Sequence, residues 1–168
     1  MEQSSVSRTA ARELAFSLIY MTSVSESDPD SILESFFEDE YYETLSEELR
    51  LCVKKPDSIQ LEYIKSLVSL CFINLETIDE HIRNNSGTWK PERISKTALA
   101  ILRMCIAEML YMEDVPVSAA INEAVEIAKS YENKETVSFI NGVLGSVAKE
   151  IKASEAEETL VTDDGEHI

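Results

Sequence analysis

Residue types that commonly carry out catalysis are scarce in this chain of 168 residues. Its histidines are His81 and His167, and neither belongs to a Ser-His-Asp order or to an H-E-x-x-H zinc motif. The four glycines are too few to build a glycine-rich loop around a nucleotide phosphate. No pair of carboxylates stands out as a general acid and base. We therefore expect no enzymatic activity, no metal site and no cofactor.

The cysteines and the longest apolar stretch bear on where the protein works. Cys52, Cys71 and Cys105 are an odd number without a C-x-x-C pair, which is typical of small buried side chains in a reducing compartment. The longest apolar stretch, residues 98–107, is interrupted by Arg103 and is shorter than the ~18 residues of a membrane-spanning helix. We therefore expect a cytoplasmic protein that does not enter a membrane.

The net charge of −17 is concentrated in two segments. Residues 26–48 contain ten acidic residues and no basic one, and residues 154–168 contain six acidic residues and no basic one. Runs of acidic residues are usually solvated surface, and the second run has no apolar periodicity of its own. We therefore expect a single folded domain over residues 1–153 and a disordered acidic tail over residues 154–168.

The elements that must position any functional residue are predicted by apolar residues at intervals of three and four. An amphipathic helix starts near residue 7, and Asp28 followed by Pro29 is typical of the start of a second, short and acidic helix. A helix of about seven turns is predicted over residues 58–85, with Gly87 just beyond its end.

The helix predicted to start at Pro91 is more apolar than the others. Between Thr97 and Met112 its only charged residues are Arg103 and Glu108, so this helix should lie at the centre of the fold. The two charged residues are five positions apart, a spacing that places them poorly for pairing with each other on a helix.

Two further helices are predicted in the C-terminal part of the chain. One follows Pro116, with Ser118 as its N-cap. The other contains Asn141-Gly142, a pair typical of β-hairpin turns, but apolar residues continue at helical spacing across the pair over residues 137–151. Gly142 would then allow a neighbouring helix to approach closely. Since no segment requires a strand, we expect an all-α fold, a compact bundle of about six or seven helices.

Three of these stretches together resemble the NusB family. Residues 115–151, VPVSAAINEAVEIAKSYENKETVSFINGVLGSVAKEI, resemble its C-terminal motif of a proline, an INEAVELAK-like helix and a FVNGVLD-like helix. Residues 93–110, RISKTALAILRMCIAEML, are similar to its LRLAxYEL helix, and residues 7–20, SRTAARELAFSLIY, are similar to its opening RRxARExAxQxLY. The three matches follow the order of the family.

The resemblance implies a NusB-like helical factor that binds RNA and has no catalytic activity. Members of the family bind the boxA element of nascent transcripts together with NusE, a small-subunit ribosomal protein. They act indirectly on RNA polymerase by helping it to resist termination, chiefly in ribosomal RNA operons. Arg103 and Glu108 are assigned to the surface that would hold NusE. The residues assigned to RNA binding are Arg8, Arg12, Tyr20, Tyr131, Ser138 and Phe139.

Single-stranded RNA is held largely by stacking of its bases on exposed aromatic rings. Phe139 lies beside the apolar stripe of its predicted helix rather than on it, so its ring is expected to be available for stacking. Arg8 and Arg12 are the only arginines in the first helix, where the family often has further basic residues, so we expect weak RNA binding by the isolated chain.

Two other interpretations remain open. The chain could be a protein-interaction module that keeps the NusB fold, acts through NusE or through self-association as a homodimer, and has little RNA affinity. It could also resemble the NusB-like domain that precedes some RNA cytosine methyltransferases. That interpretation requires a catalytic domain after residue 151, where this sequence has only a short acidic segment.

Overall fold

The computed structural model describes residues 6–48, 52 and 54–163, and within them every regular element is helical. The predicted all-α fold is confirmed. The α-helices in the described residues are α1 (Arg8–Ser25), α2 (Pro29–Phe36), α3 (Asp39–Glu48), α4 (Ser58–Ile73), α5 (Leu75–Asn85), α6 (Lys96–Tyr111), α7 (Val117–Tyr131) and α8 (Lys134–Asp163), with a 3-10 helix at Pro91–Arg93 between α5 and α6.

Helix α6 lies at the centre of the bundle, as its apolar sequence predicts. It contacts α1, α4, α5, α7 and α8. From Ala98 to Met109 its side chains are buried except for Leu99 and Arg103, which are half-buried. Burial of apolar surface stabilises the fold by roughly 25 cal/mol per Å², so this helix contributes a large part of the hydrophobic core. None of the helices in the described ranges is long and apolar enough to span a membrane.

The helix predicted over residues 58–85 is two helices, α4 and α5, which meet at Asn74. Asn74 has φ −108° and ψ 22°, outside the helical range, and both its backbone N–H and its side-chain amide donate hydrogen bonds to the carbonyl oxygen of Leu70. Asparagine side chains compete with the backbone for such bonds and therefore favour helix ends. The apolar stripe continues across the break, which is why spacing alone predicted one helix.

Three helix starts also differ from the predicted positions. Pro91 begins the 3-10 helix, and α6 begins after Ser95, whose side chain accepts a hydrogen bond from the N–H of Ala98. Helix α7 begins at Val117 rather than after Ser118, because Pro116 occupies the capping position. Helix α8 begins at Lys134, three residues before the apolar spacing that predicted it over residues 137–151.

The Asn141-Gly142 pair lies in the interior of α8, so the prediction of a helix in place of a hairpin is confirmed. The predicted close approach of another helix at Gly142 is wrong, because a Cβ atom built there would meet nothing within 4 Å. Helix α8 continues beyond the predicted end to Asp163. Residues 152–162 are exposed, so they add no buried surface, and the domain boundary at residue 153 stays a prediction.

Candidate nucleic-acid interface

Arg12, one of the two arginines predicted to bind RNA, lies inside the bundle and is only 5% exposed. Its Nε donates hydrogen bonds to both carboxylate oxygens of Glu108 on α6, at 2.9 and 3.2 Å. One of its terminal nitrogens is 3.5 Å from a carboxylate oxygen of Glu123 on α7. Burial alone would lower the pKa of Arg12, but the hydrogen bond to Glu108 and the surrounding negative groups raise it above its ordinary value, so Arg12 stays charged.

Glu108 is fully buried and has a second donor, the hydroxyl group of Tyr63 on α4. Burial and the neighbouring carboxylate raise the pKa of Tyr63 above its ordinary value, so this hydroxyl keeps its proton. A buried carboxylate needs such partners because an unpaired buried charge is costly. These positions correct the expectation that Arg12 faces RNA and Glu108 faces a protein partner. For Arg12 to contact RNA, or for Glu108 to contact a protein partner, the buried ion pair between them would have to separate.

Arg8, the other arginine of α1, is half-buried at the surface. Its Nε donates a hydrogen bond of 2.8 Å to the side-chain oxygen of Gln60, and the centre of its guanidinium group lies 3.9 Å from the centroid of the Tyr63 ring. An arginine over an aromatic face gains cation-π attraction. Arg8 is therefore the arginine of α1 that remains near solvent, with its guanidinium group positioned by α4.

Arg103, predicted to contact a protein partner, forms an ion pair within the bundle. Its Nε and one terminal nitrogen donate hydrogen bonds of 2.8 and 2.9 Å to the two carboxylate oxygens of Asp79 on α5. Its other terminal nitrogen lies 3.5 Å from the hydroxyl of Ser23. Arg103 and Glu108 do not pair with each other, in agreement with their spacing. They also do not form a common surface, so the predicted partner site is not assembled from these two charges.

Two predicted RNA-binding aromatics, Tyr20 and Tyr131, lie close together. They are 36% and 46% exposed and line a cavity of about 310 Å³ between α1 and α7, together with Phe16 and Met21. The Tyr131 hydroxyl donates a hydrogen bond of 2.8 Å to the carboxylate of Glu13, and its ring centroid is 5.1 Å from that of Phe16. The structure thus forms one exposed aromatic site from residues far apart in sequence.

The adjacent residues Ser138 and Phe139 lie on different sides of α8. Ser138 is exposed and lines a groove of about 550 Å³ between α7 and α8, together with Lys129 and Asn141. Phe139 is half-buried, packs against the core and stacks on Trp89, with ring centroids 4.7 Å apart. The expectation of an uncovered Phe139 ring is therefore wrong, because one of its faces is covered by Trp89.

Trp89 is a residue that the sequence reasoning missed. An indication was available in the local charge, since residues 83–96 contain four basic residues and one acidic residue in a chain with a net charge of −17. Aromatic residues interleaved with cations are typical of surfaces that bind single-stranded nucleic acid. Over the longer range of residues 49–153, however, acidic and basic residues nearly balance, so a charge count over that range does not show the local excess of basic residues.

Within the described residues, the cysteines are buried and the histidine is paired. Cys52, Cys71 and Cys105 are buried, and burial raises the pKa of each thiol, that of Cys71 to about 12. Nδ1 of His81 lies 2.9 Å from a carboxylate oxygen of Glu150. In the part of the chain that the structure describes, no three histidine, cysteine or acidic side chains are grouped to hold a metal ion. The surface at Arg8, Tyr20 and Tyr131 is suited to binding a ligand through cationic and aromatic groups.

Known proteins resemble this chain in sequence. The profile of the NusB family matches residues 9–149. The transcription antitermination protein NusB of Acetivibrio thermocellus is 42% identical over 142 residues, which cover 84% of this chain and 88% of that protein.

Solved structures share the fold. T. maritima NusB superposes with a TM-score of 0.72 at 26% identity, covering 88% of this chain and 94% of that one. A NusB chain solved with NusE and double-stranded RNA gives a TM-score of 0.69 at 22% identity, covering 85% of this chain and 96% of that one. At that identity the second likeness concerns the fold alone.

Proposed function

The chain belongs to the NusB family, and on that premise we propose that it binds boxA RNA of nascent ribosomal RNA transcripts together with NusE. In this role it acts in the cytoplasm, without catalysis, as part of an assembly that helps RNA polymerase to resist termination. The observation that carries the proposal is the family match, because residues 9–149 include nearly all of α1 and the whole of helices α2 to α7.

Three surface features support an RNA-binding role: one on α1, one between α1 and α7, and one between α7 and α8. Arg8 is near solvent and has nitrogen atoms beyond the one bonded to Gln60, so it is able to contact a phosphate group. The cavity beside Tyr20 and Tyr131 has exposed aromatic surface, on which an unpaired base could stack. Ser138 and Asn141, in the groove between α7 and α8, add side chains that could bond to a base edge.

The charge of the chain supports the need for a protein partner. Phosphate contacts dominate nucleic-acid affinity, and each contact requires a positive group at the surface. In α1 that group is Arg8 alone, because Arg12 is buried against Glu108. With a net charge of −17, the chain by itself should bind RNA weakly, and NusE would supply much of the missing positive field.

The proposal is tested by measuring RNA binding with and without NusE. Fluorescently labelled boxA RNA and a scrambled RNA of equal length are titrated with the full chain, and anisotropy is followed at several salt concentrations. We expect boxA RNA to bind more tightly than scrambled RNA when NusE is present, with affinity falling as salt rises. Equal affinity for the two RNAs would overturn the proposed function.

A protein-interaction module with little RNA affinity is the second candidate. It is favoured by one observation, that Arg12 and Arg103 both form ion pairs within the bundle. Such a module would bind NusE, or a second copy of itself, without any salt-dependent binding of boxA RNA. Sedimentation of the chain alone and of its mixture with NusE, alongside the titrations, separates the two candidates.

A further inference from the structure

Trp89 and Phe139 form a stacked pair of rings where the segment between α5 and α6 meets α8. Their centroids are 4.7 Å apart and their planes are inclined by 26°. Both side chains are half-buried. Phe139 packs against the core cluster and Trp89 is not part of that cluster, so Trp89 is the ring of the pair nearer to solvent.

Trp89 is held by a closed turn at the end of α5. Its backbone N–H donates a hydrogen bond of 3.1 Å to the carbonyl oxygen of Ser86, whose hydroxyl donates to the carbonyl of Ile82. Gly87 has φ +61°, a left-handed conformation that glycine adopts without steric cost. A ring fixed in this way loses little conformational freedom when a ligand stacks on it.

The same end of α5 is attached to α8 by polar contacts. The hydroxyl of Ser146 donates a hydrogen bond of 2.6 Å to the side-chain oxygen of Asn85, and His81 contacts Glu150 one turn further along α8. Contacts at residues 139, 146 and 150 therefore run along one side of α8. The stacked rings are the contact in this row that lies nearest the start of α8.

Two cationic residues follow Trp89 within four positions of the sequence. Lys90 and Arg93 are exposed, and neither forms an ion pair within the described residues. Acidic groups are also present: Glu92 and Glu135 are exposed, and Glu132 accepts a hydrogen bond of 2.6 Å from Ser95. The local charge is therefore mixed, and binding at this place would depend on the ring as well as on the cations.

We propose that Trp89 is a stacking platform for one unpaired RNA base, with Lys90 and Arg93 contacting the phosphates on either side of that base. A partly exposed ring next to cations, as at Trp89, is a combination by which proteins hold single-stranded nucleic acid. The site formed by Trp89, Lys90 and Arg93 shares no residue with the cavity at Tyr20 and Tyr131. The inference rests on the proposed RNA-binding function and names a further contact within it.

Trp89 is the only tryptophan of the chain, so the intrinsic tryptophan emission reports on this site alone. The full chain is titrated with unlabelled single-stranded boxA RNA and, separately, with the same RNA annealed to its complement. Stacking on Trp89 should quench the emission with single-stranded RNA, over the concentration range in which labelled RNA gains anisotropy. Duplex RNA should quench little, because its bases are already stacked and paired.

Substitutions test the ring and the cations separately. Trp89→Ala should weaken binding of single-stranded RNA by about 5- to 150-fold, and Trp89→Phe, which keeps a ring on Phe139, by less. Lys90→Gln together with Arg93→Gln should reduce the slope of log affinity against log salt by about 2. Lys152→Gln, which changes an exposed lysine on the distant part of α8, is the matched control. It should change the RNA affinity and the salt slope by less than these substitutions do.

The outcomes separate this inference from the proposed function. If labelled RNA gains anisotropy but the emission stays constant and Trp89→Phe and Trp89→Ala bind as tightly as the original chain, the stacking platform is wrong and RNA binding stands. If no RNA is bound with or without NusE, the proposed function fails and the platform fails with it. Equal quenching by single-stranded and duplex RNA would also contradict base stacking.

Discussion

Nε of Arg12 on α1 lies 2.9 Å from Oε1 of Glu108 on α6, in the interior of the bundle. The resemblance to the NusB family assigned these residues to two different surfaces, and the structure makes them partners. The pair joins the first helix to the central helix, and Tyr63 on α4 adds a third helix to the same contact. The polar cluster therefore fixes how α1, α4 and α6 are arranged, and its effect on stability can be measured.

Replacing Glu108 by Gln should lower the free energy of unfolding by up to about 3–5 kcal/mol, because the buried Arg12 would lose its closest carboxylate and keep only Glu123, at 3.5 Å, as a charged partner. The double variant Arg12→Met with Glu108→Met should lose less than the sum of the losses in Arg12→Met alone and Glu108→Met alone. Urea denaturation followed by circular dichroism measures the original chain, Glu108→Gln and the three methionine variants. Additive losses would show that the two side chains are not coupled in the folded state.

Replacing Phe139 by Ala should lower the free energy of unfolding by about 2 kcal/mol, less than for a fully buried ring, because Phe139 packs against the core and Trp89. The emission of Trp89 should also shift to longer wavelength as water reaches its inner face. Ser138→Ala changes the neighbouring exposed residue and should leave stability within about 0.5 kcal/mol. Unchanged stability in Phe139→Ala would show that the ring contributes no packing.

Arg8 should contribute one phosphate contact. Arg8→Gln is expected to reduce the slope of log RNA affinity against log salt by about 1, measured with NusE present. Lys65→Gln removes the same charge from an exposed position of α4 and is the control. Identical slopes for the two variants would place Arg8 outside the RNA interface.

The buried thiols should become a source of instability at high pH. Burial raises the pKa of Cys71 from 9.0 to about 12, so the protonated thiol is favoured in the folded state. A folded-state pKa above the unfolded value gives a contribution to stability that is complete below pH 9 and is lost as pH rises toward 12. Urea midpoints at pH 8 and pH 10.5 should therefore differ by less in Cys71→Ala than in the original chain. Equal pH dependence in the two proteins would contradict the raised pKa.

Removing residues 154–168 should leave the melting temperature nearly unchanged. Residues 152–162 are exposed along α8, and their loss removes no buried apolar surface. The deletion also removes six acidic residues and no basic one, so RNA should bind somewhat more tightly at low salt and equally at high salt. A large fall in melting temperature would place the domain boundary beyond residue 153.

The fold class and the order of the helices follow from the amino-acid sequence alone. A helix must bury its apolar side, so residues at intervals of three and four predicted the core positions of α1, α6 and α8. The same spacing showed that Asn141-Gly142 lies in a helix, although the pair is typical of turns. The motifs over residues 115–151 indicated the family that the comparisons then showed.

Which distant residues meet becomes evident from the three-dimensional arrangement of the helices. Spacing shows which side of a helix faces inward, but it does not show that Arg12 meets a carboxylate 96 residues away. The same limit applies to Phe139, whose ring lies beside the apolar stripe and is covered by Trp89 from another segment. Pairing and stacking depend on how helices are placed in three dimensions, and this placement determines which charges and rings remain at the surface.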